Sequence, residues 1–389
     1  MLTQEENEIL TRVGPGTPAG ELLRRYWQPV AIASELADEN PVKFVRILGE
    51  DLVLFRSTKG QVGLLHDRCS HRGASLSYGR VEERGIACPY HGWLYDTQGN
   101  CLETPAEPAG SNFALTVKHR AYPVQKFAGL YWGYFGPLPA PVIPKFDVWA
   151  RTDGWHWIRA LPDLDCNWFQ AMENSVDTCH LHLLHQDLIT RGFTVRGTTR
   201  GTIDDLERFE FDEISYGIMK RRVFTDGTME EHPLIFPNIL RQANRTQIRV
   251  PIDDTHTWVL YLHFVPSNEG GPVDGEEVAV DYKKPFKNPA DARHPFTRFT
   301  MDEVDAQDFM AWETQGPIAD RTRERLAASD RGVLMYRDMV IREIDKVRQN
   351  LDPMNVIRDP DHSIIDTKLD ESIRAEKAGS VAYHLPTAV

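Results

Sequence analysis

Short, β-like apolar runs broken by polar turns mark much of the first third of the chain. KFVRIL (43–48), DLVLF (51–55) and QVGLL (61–65) are strand-length runs separated by Gly-Glu-Asp and Thr-Lys-Gly turns, and this β-like pattern runs on to about Leu102. Ahead of it, Thr17-Pro18 followed by AGELLRRYW predicts a helix start. Thr17 would be the N-cap, and Pro18 would open the helix where its missing N–H costs nothing. Gly14-Pro15-Gly16 lacks the GxGxxG spacing and the preceding strand of a nucleotide-binding loop. GPLPAPVIPKF (136–146) has no period and predicts a linker. Beyond it, Asn167 to Leu188 predicts one helix. Arg208 to Pro266 returns to strands, clearest in TWVLYLHFVP, and Asp302 to Asn350 is helical and rich in charge. The polar tail after Asn350 is expected to drape over the surface. The order predicts an α+β protein: an N-terminal helical segment (1–40), a small all-β domain (41–145) and a larger α+β domain (146–389).

Composition narrows the class. The chain has 389 residues, 41% apolar and 26% charged, which excludes a disordered or collagen-like chain. Its 44 basic against 57 acidic residues leave a net charge of -13, so neither nucleic acid nor an anionic membrane is an expected partner. No apolar run approaches the ~20 residues that span a bilayer. The opening MLTQEENEIL is acidic, unlike a secretory or transit peptide. The five cysteines are an odd number without a secretion signal, which argues against a disulfide framework. The cytoplasm is the expected compartment.

Two of those cysteines carry the first chemical signal. RCSHRGASLSYGRVEERGIACPYHGW (68–93) contains Cys69-x-His71 and, after a sixteen-residue spacer, Cys88-x2-His91. Two thiolates and two imidazoles suit either zinc or a [2Fe–2S] cluster with both cysteines on one iron and both histidines on the other. A Cys2His2 zinc finger places both cysteines before both histidines, whereas here each loop donates one of each. Gly73, Pro89 and Gly92 suit tight loops whose N–H groups face sulfur, and Tyr90 and Trp93 are expected to shield the cluster. The segment resembles the Rieske [2Fe–2S] motif at every ligand position. The resemblance implies that Cys69, His71, Cys88 and His91 hold the cluster.

The second signal lies in CNWFQAMENSVDTCHLHLLHQDL (166–188). Asp177 and His180 are three apart and share a helix face. His185 lies five beyond His180, about 140° around an ideal helix, so both reach one metal only if the helix distorts. His182, three before His185, competes with His180, and spacing alone leaves the two histidine pairs open. Two imidazoles and one carboxylate make the facial triad of non-heme Fe(II) oxygenases. Such iron needs electrons from elsewhere, which a cluster earlier in the chain would supply.

Taken together, the two segments resemble the large subunits of Rieske non-heme iron oxygenases. That resemblance implies an antiparallel catalytic sheet flanked by helices, with His180 and His185 as iron ligands and His182 not one of them. It further implies that Asp177 hydrogen-bonds a ligand histidine and the neighbouring subunit's counterpart of His91, in a head-to-tail homotrimer. Asn167 matches the family's asparagine near the iron, with Glu173 in the same helix. For the third ligand the candidates are Asp302, Asp305, Asp308, Asp320, Asp330 and Asp338. Gln307-Asp308-FMAWE, with Trp312 one turn on, fits the family pattern and selects Asp308, with Asp305 next.

VGPGTPAGELLRRYWQPV, the Cys/His segment and GPIADRTRERLAASD resemble the phthalate dioxygenase branch, which implies a separate NAD(P)H-dependent reductase, with or without a ferredoxin. LRQANRTQIRVPIDDTHT (240–257) is more similar to the O-demethylases of methoxylated lignin-derived aromatics. The implied reaction is hydroxylation of an aryl methoxy group and loss of formaldehyde; cis-dihydroxylation of the ring and a pure electron-transfer protein are the alternatives. An aryl carboxylate needs a cation, and Arg249 and Arg241 are the candidates by their place in the strands.

Overall fold

The computed structural model describes residues 1–190, 203–242, 244–267, 278–287 and 298–367. The three apolar runs form Val42–Ile47, Glu50–Arg56 and Val62–His66, an antiparallel meander completed by Ala121–Tyr122. Beside it, Arg80–Val81, Ile86–Ala87, Leu94–Tyr95 and Cys101–Glu103 make a second small sheet whose turns carry chemistry. A third sheet joins Leu130–Tyr134 to Val124–Phe127 on one side and to Trp27–Ile32 on the other. Trp27–Ile32 falls inside the segment expected to be helical. Its six residues are all buried, Gln28 among them, so the run shows no alternation of inner and outer positions, and the register shifts past Pro29.

Gln4–Thr11 and Pro18–Leu23 are helices, the second opening at Pro18 as expected. The Thr17 hydroxyl, however, donates to the carbonyls of Arg12 and Gly14 instead of capping the second helix. The first helix ties the N-terminus to the catalytic half through Asn7, which donates to the Ala319 carbonyl, and Arg12 pairs with Asp254.

The larger half is built on an eight-stranded sheet. Its order is Leu206–Ile214, Gly217–Phe224, Met229–Ile235, Ile239–Gln242, Arg245–Pro251, Thr257–Pro266, Gly154–Ala160 and Ala279–Tyr282, antiparallel except for the last pair. One face buries Ile235, Ile239, Ile248, Val250 and Leu260 in the main core, with Tyr336, Val340 and Ile344 of the Arg331–Arg348 helix in the same core. The opposite face is polar and forms one wall of the site.

Two expected helices are broken. Asn167–Leu188 becomes Trp168–Val176, Cys179–Leu183 and Gln186–Thr190. Asp302–Asn350 becomes Val304–Glu313 and Arg331–Arg348, parted at Gly316-Pro317, where proline has no N–H to continue the ladder. The 136–146 stretch is no free linker. Val142 bridges Ile357, Lys145–Phe146 pairs in parallel with Ile364–Ile365, and Thr367 donates to Asp147. The chain after Asn350 is therefore a strap, stitched by backbone bonds, as far as it is described; 368–389 lie outside the described residues.

Candidate functional site

The two Cys/His loops are built alike. The N–H of Gly73 donates to the Cys69 carbonyl at 2.8 Å and that of Gly92 to the Cys88 carbonyl at 3.0 Å. Both glycines sit in the left-handed region, at φ 75° and 72°, which a side chain would strain. These N–H groups bond carbonyls rather than sulfur; the N–H groups of Tyr90 and His91 are the ones that bond the Cys88 thiol. Cys69 and Cys88 are buried, while His71 is exposed and His91 half-buried. The imidazoles lie 4.5 Å apart, centroid to centroid. Trp93 is buried and stacks on His71 at 4.4 Å, so it shields the pair. Tyr90 does not: it is exposed, with its ring against His91. The Tyr95 hydroxyl lies 3.2 Å from Cys69 Sγ. Two buried thiols beneath two outward imidazoles fit a [2Fe–2S] cluster whose histidine edge faces the surface.

The second constellation depends on the helix breaks. Asp177 leaves helical geometry (φ -80°, ψ 118°), and its Oδ1 accepts the Cys179 N–H at 2.8 Å, starting the next short helix. A second break before Gln186 turns His185 back toward His180. Ligand atoms of His180, His185 and Asp308 then all lie within 4.8 Å of one another, the one such group of three among the described residues. Asp308 Oδ1 is 3.2 Å from His185 Nε2 and 3.8 Å from His180 Nε2. The other ring nitrogens are held from behind. His185 Nδ1 donates to Gln307 Oε1 at 2.7 Å, and His180 Nδ1 lies 3.3 Å from Asp177 Oδ2. Backing of this kind fixes the tautomer that presents Nε2 to a metal. Burial opposes the charge on Asp308, yet His185, His180 and Arg249 hold its carboxyl below the ordinary range. Two neutral nitrogens and one carboxylate oxygen suit iron with open positions.

A narrow cavity opens beside these three residues. Its sheet wall follows from strand parity. Lys220 pairs with His232, Leu240 with Gln247, and Gln242 with Arg245, and cross-strand partners share a face. Arg222 and Arg249 are two residues from lining positions and lie on the same face. Arg222 is paired with Glu230. Lys220, Arg245 and Arg249 have no carboxylate at ion-pair distance among the described residues. Arg249 is 1% exposed, with one long contact to the Gln247 carbonyl at 3.5 Å and its guanidinium 5.8 Å from the Trp312 ring. Arg245 lies over Tyr261 at 5.0 Å. Burial first, then Arg222, pushes the Lys220 ammonium down to about 7.

Several expected site residues lie elsewhere. Asn167 caps the Trp168–Val176 helix and donates to the Thr11 and Asp254 carbonyls; it is wholly buried, away from the cavity, and acts in folding. The asparagine beside Asp308 is Asn174, one helical turn before Asp177, with Nδ2 3.5 Å from Asp308 Oδ1. Arg241 is out of parity with Gln242, so it points through the sheet and pairs with Asp147 at 3.5 Å. His182 is buried near Phe224 and burial drives its pKa down to about 4; it is not in the cluster. Glu173 serves structure, bound by Arg321 and Arg337. Asp305 lines the cavity but accepts the Tyr261 hydroxyl at 2.6 Å.

A two-Cys, two-His loop pair in a small β domain, followed by a two-His, one-carboxylate cluster under a deep cavity, defines an oxygenase of the Rieske type. Residues 26–127 match the Rieske [2Fe–2S] domain family, and residues 293–369 match the family described as LigXa C-terminal domain like. The chain is 39% identical over 373 residues to the 5,5'-dehydrodivanillate O-demethylase oxygenase subunit of Sphingobium sp., covering 92% of this chain and 84% of that one. It is 35% identical over 384 residues to the phthalate 4,5-dioxygenase oxygenase subunit of Pseudomonas putida, covering 88% and 86%. Among solved structures, the terminal oxygenase of carbazole 1,9a-dioxygenase from Nocardioides aromaticivorans shares the fold, with TM-score 0.64 and 18% identity over 88% of this chain and 98% of that one. The protein belongs to the Rieske non-heme iron oxygenases, as an oxygenase subunit. Membership brings a Rieske [2Fe–2S] cluster and a mononuclear iron as its cofactors. Among the described residues no helix is long and apolar enough to cross a membrane.

Proposed function

We propose that this subunit O-demethylates a methoxylated aromatic acid, with O2 and with electrons from a separate NAD(P)H-dependent reductase, directly or through a ferredoxin. The observation that carries the substrate class is the cavity wall, where Lys220, Arg245 and Arg249 face the reacting position without an anion of their own. Buried cations that repel one another are stabilised by a carboxylate, and the two guanidiniums offer it paired donors. Tyr261 and Trp312 lie beneath those guanidiniums and hold them in place.

In this reading Cys69, His71, Cys88 and His91 hold the cluster, and His180, His185 and Asp308 hold the iron. Reduced iron supplies O2 activation for insertion into a C–H bond. Gln307 holds the proton on His185 Nδ1, and the Asp177 carboxylate faces His180 Nδ1 at 3.3 Å, an arrangement that would leave both Nε2 atoms free as ligands. Asp177 also reaches toward the cluster histidine of a neighbouring subunit, in a homotrimer that brings the exposed His71/His91 edge to this site. The overall balance is aryl methyl ether plus O2, NAD(P)H and a proton giving phenol, formaldehyde, NAD(P)+ and water.

The 39% identical relative is named for O-demethylation, which favours this outcome over ring dihydroxylation, the activity named for the 35% identical one. The test is turnover of the iron-loaded protein with a reconstituted reductase on methoxylated and unmethoxylated aryl acids. One formaldehyde per methoxy acid consumed is expected. A cis-diol without formaldehyde refutes demethylation and leaves the oxygenase in place.

A further inference from the structure

We propose that His119 is a positioning residue for the Rieske cluster: it braces Ser70 and the Tyr95 ring so that the Tyr95 hydroxyl stays on Cys69, and thereby keeps the cluster's reduction potential high. The inference rests on the reading of Cys69 as a cluster ligand and is independent of the substrate.

His119 is 2% exposed and has both ring nitrogens in use. Nε2 lies 2.7 Å from the His66 carbonyl oxygen, which can only accept, so Nε2 carries the proton. That leaves a lone pair on Nδ1, which accepts the Ser70 hydroxyl at 2.7 Å. His66 ends a strand and Ser70 stands between Cys69 and His71, so one neutral imidazole clamps both ends of the 66–70 stretch. The backbone N–H of His119 donates to the Gly99 carbonyl at 2.7 Å. Burial, the largest influence on this imidazole, pushes its pKa below the ordinary value and agrees with a neutral ring.

The face of the same ring packs on Tyr95, with centroids 4.6 Å apart and planes at 33°. Tyr95 is wholly buried. A ligand thiolate only accepts, which makes the phenol the donor to Cys69 Sγ at 3.2 Å. Reduction adds negative charge to the cluster, and a hydrogen bond to a ligand sulfur stabilises that charge and raises the potential. Within this network His119 meets Ser70, His66 and Tyr95, and its influence on Cys69 passes through Ser70 and Tyr95.

The experiment is a double-mutant cycle on the cluster-loaded protein, with iron and acid-labile sulfide measured in each variant. Redox titration is followed by the paramagnetic signal of the reduced cluster. Tyr95→Phe and His119→Leu each lower the midpoint potential, His119→Leu by about tenfold in the reduction equilibrium, which reads as about 59 mV for one electron. In the double variant the two effects are sub-additive, because His119 acts in part through the hydroxyl that Tyr95→Phe removes. If His119→Leu fails to hold the cluster, His119→Phe keeps the ring against Tyr95 while losing both hydrogen bonds, and it is expected to give a smaller fall. His119→Gln, able to donate to His66 and accept from Ser70, restores part of the shift. An unmoved potential and signal shape in a fully loaded variant overturn the proposal, as do fully additive shifts. A loss of cluster content or of Tm with the potential unchanged assigns His119 to folding alone and also overturns it.

Discussion

Replacing Arg249 by Met separates binding from stability, because the two are expected to move in opposite directions. The guanidinium is 1% exposed, bonded only to one carbonyl at 3.5 Å, and set beside Arg245 with no carboxylate at ion-pair distance among the described residues. Burial and that neighbouring cation hold its pKa below the ordinary arginine value, against some attraction from Tyr261, Asp308 and Asp305. Truncating one member of a buried charge pair costs about 2–5 kcal/mol of binding. At about 1.4 kcal/mol per decade this is a rise in Kd for an aryl acid of about 30-fold or more. Methionine keeps the contact with Trp312 and removes an uncompensated charge, a change often neutral or stabilising by about 1–4 kcal/mol. Each kcal/mol is worth about 2–4 °C in a domain of this size. Calorimetric titration with a methoxybenzoate and its methyl ester, beside a thermal melt, reads both quantities. The wild type prefers the acid, and the variant loses most of that preference, keeping only what Lys220 and Arg245 supply, and melts no lower. A variant that keeps the wild-type preference, or melts several degrees lower, refutes the assignment of Arg249 to substrate charge.

Lys220 makes the same binding pH-dependent. With its ammonium at about 7 in the free cavity, and higher once a carboxylate sits beside it, affinity for the acid falls as pH rises above about 7, and binding at pH 8 takes up protons. Calorimetry in buffers of different ionisation heat measures the uptake; equal uptake in Lys220→Met excludes Lys220 as its source. Gln307→Leu removes the acceptor behind His185 and is expected to weaken iron binding by about 10–100-fold while leaving the cluster's signal intact. Unchanged iron affinity, measured by competition with a chelator, shows that the bond has no bearing on the metal.

The runs at 43–65 were legible because turn residues punctuate them, although Leu52–Phe55 are buried on both faces of their sheet. Trp27–Ile32 was not, since no turn signal precedes it and it continues directly from the helix-like AGELLRRYW stretch. Parity explains the arginines. Arg245, Gln247 and Arg249 repeat every second residue, as do Lys220 and Arg222, a pattern visible in the sequence that places them on one face. Arg241 is excluded only once the register is known, because Gln242 opposite Arg245 is what fixes its parity. The strap over 142–146 comes from residues more than 200 positions away, and its bonds are backbone bonds that carry no side-chain signature. Asn174 was hidden for another reason: within one turn, Glu173 and Asn174 are equally plausible, and helix orientation alone sends Glu173 to Arg321 and Asn174 to Asp308.

The interrupted helix at 168–190 makes Asp177 do two jobs that a single substitution can separate. Its Oδ1 accepts the Cys179 N–H and so sets the break, while its Oδ2 faces His180 Nδ1. Burial disfavours its charge, yet His180, the Cys179 N–H and Lys220 hold the carboxyl below the ordinary range. An asparagine caps about as well as an aspartate. Asp177→Asn is therefore expected to keep the break, the positions of His180 and His185, the iron and the melting temperature, while removing the negative charge that faces His180 Nδ1. Asp177→Ala loses the cap as well, at a cost of about 1 kcal/mol. If the charge carries the coupling between the two metals, turnover collapses in both variants although iron and cluster contents stay full in Asp177→Asn. Reduction of the iron by its partner cluster, followed after rapid mixing with reductant, distinguishes slow electron delivery from slow chemistry. Full turnover in Asp177→Asn would confine Asp177 to ending a helix.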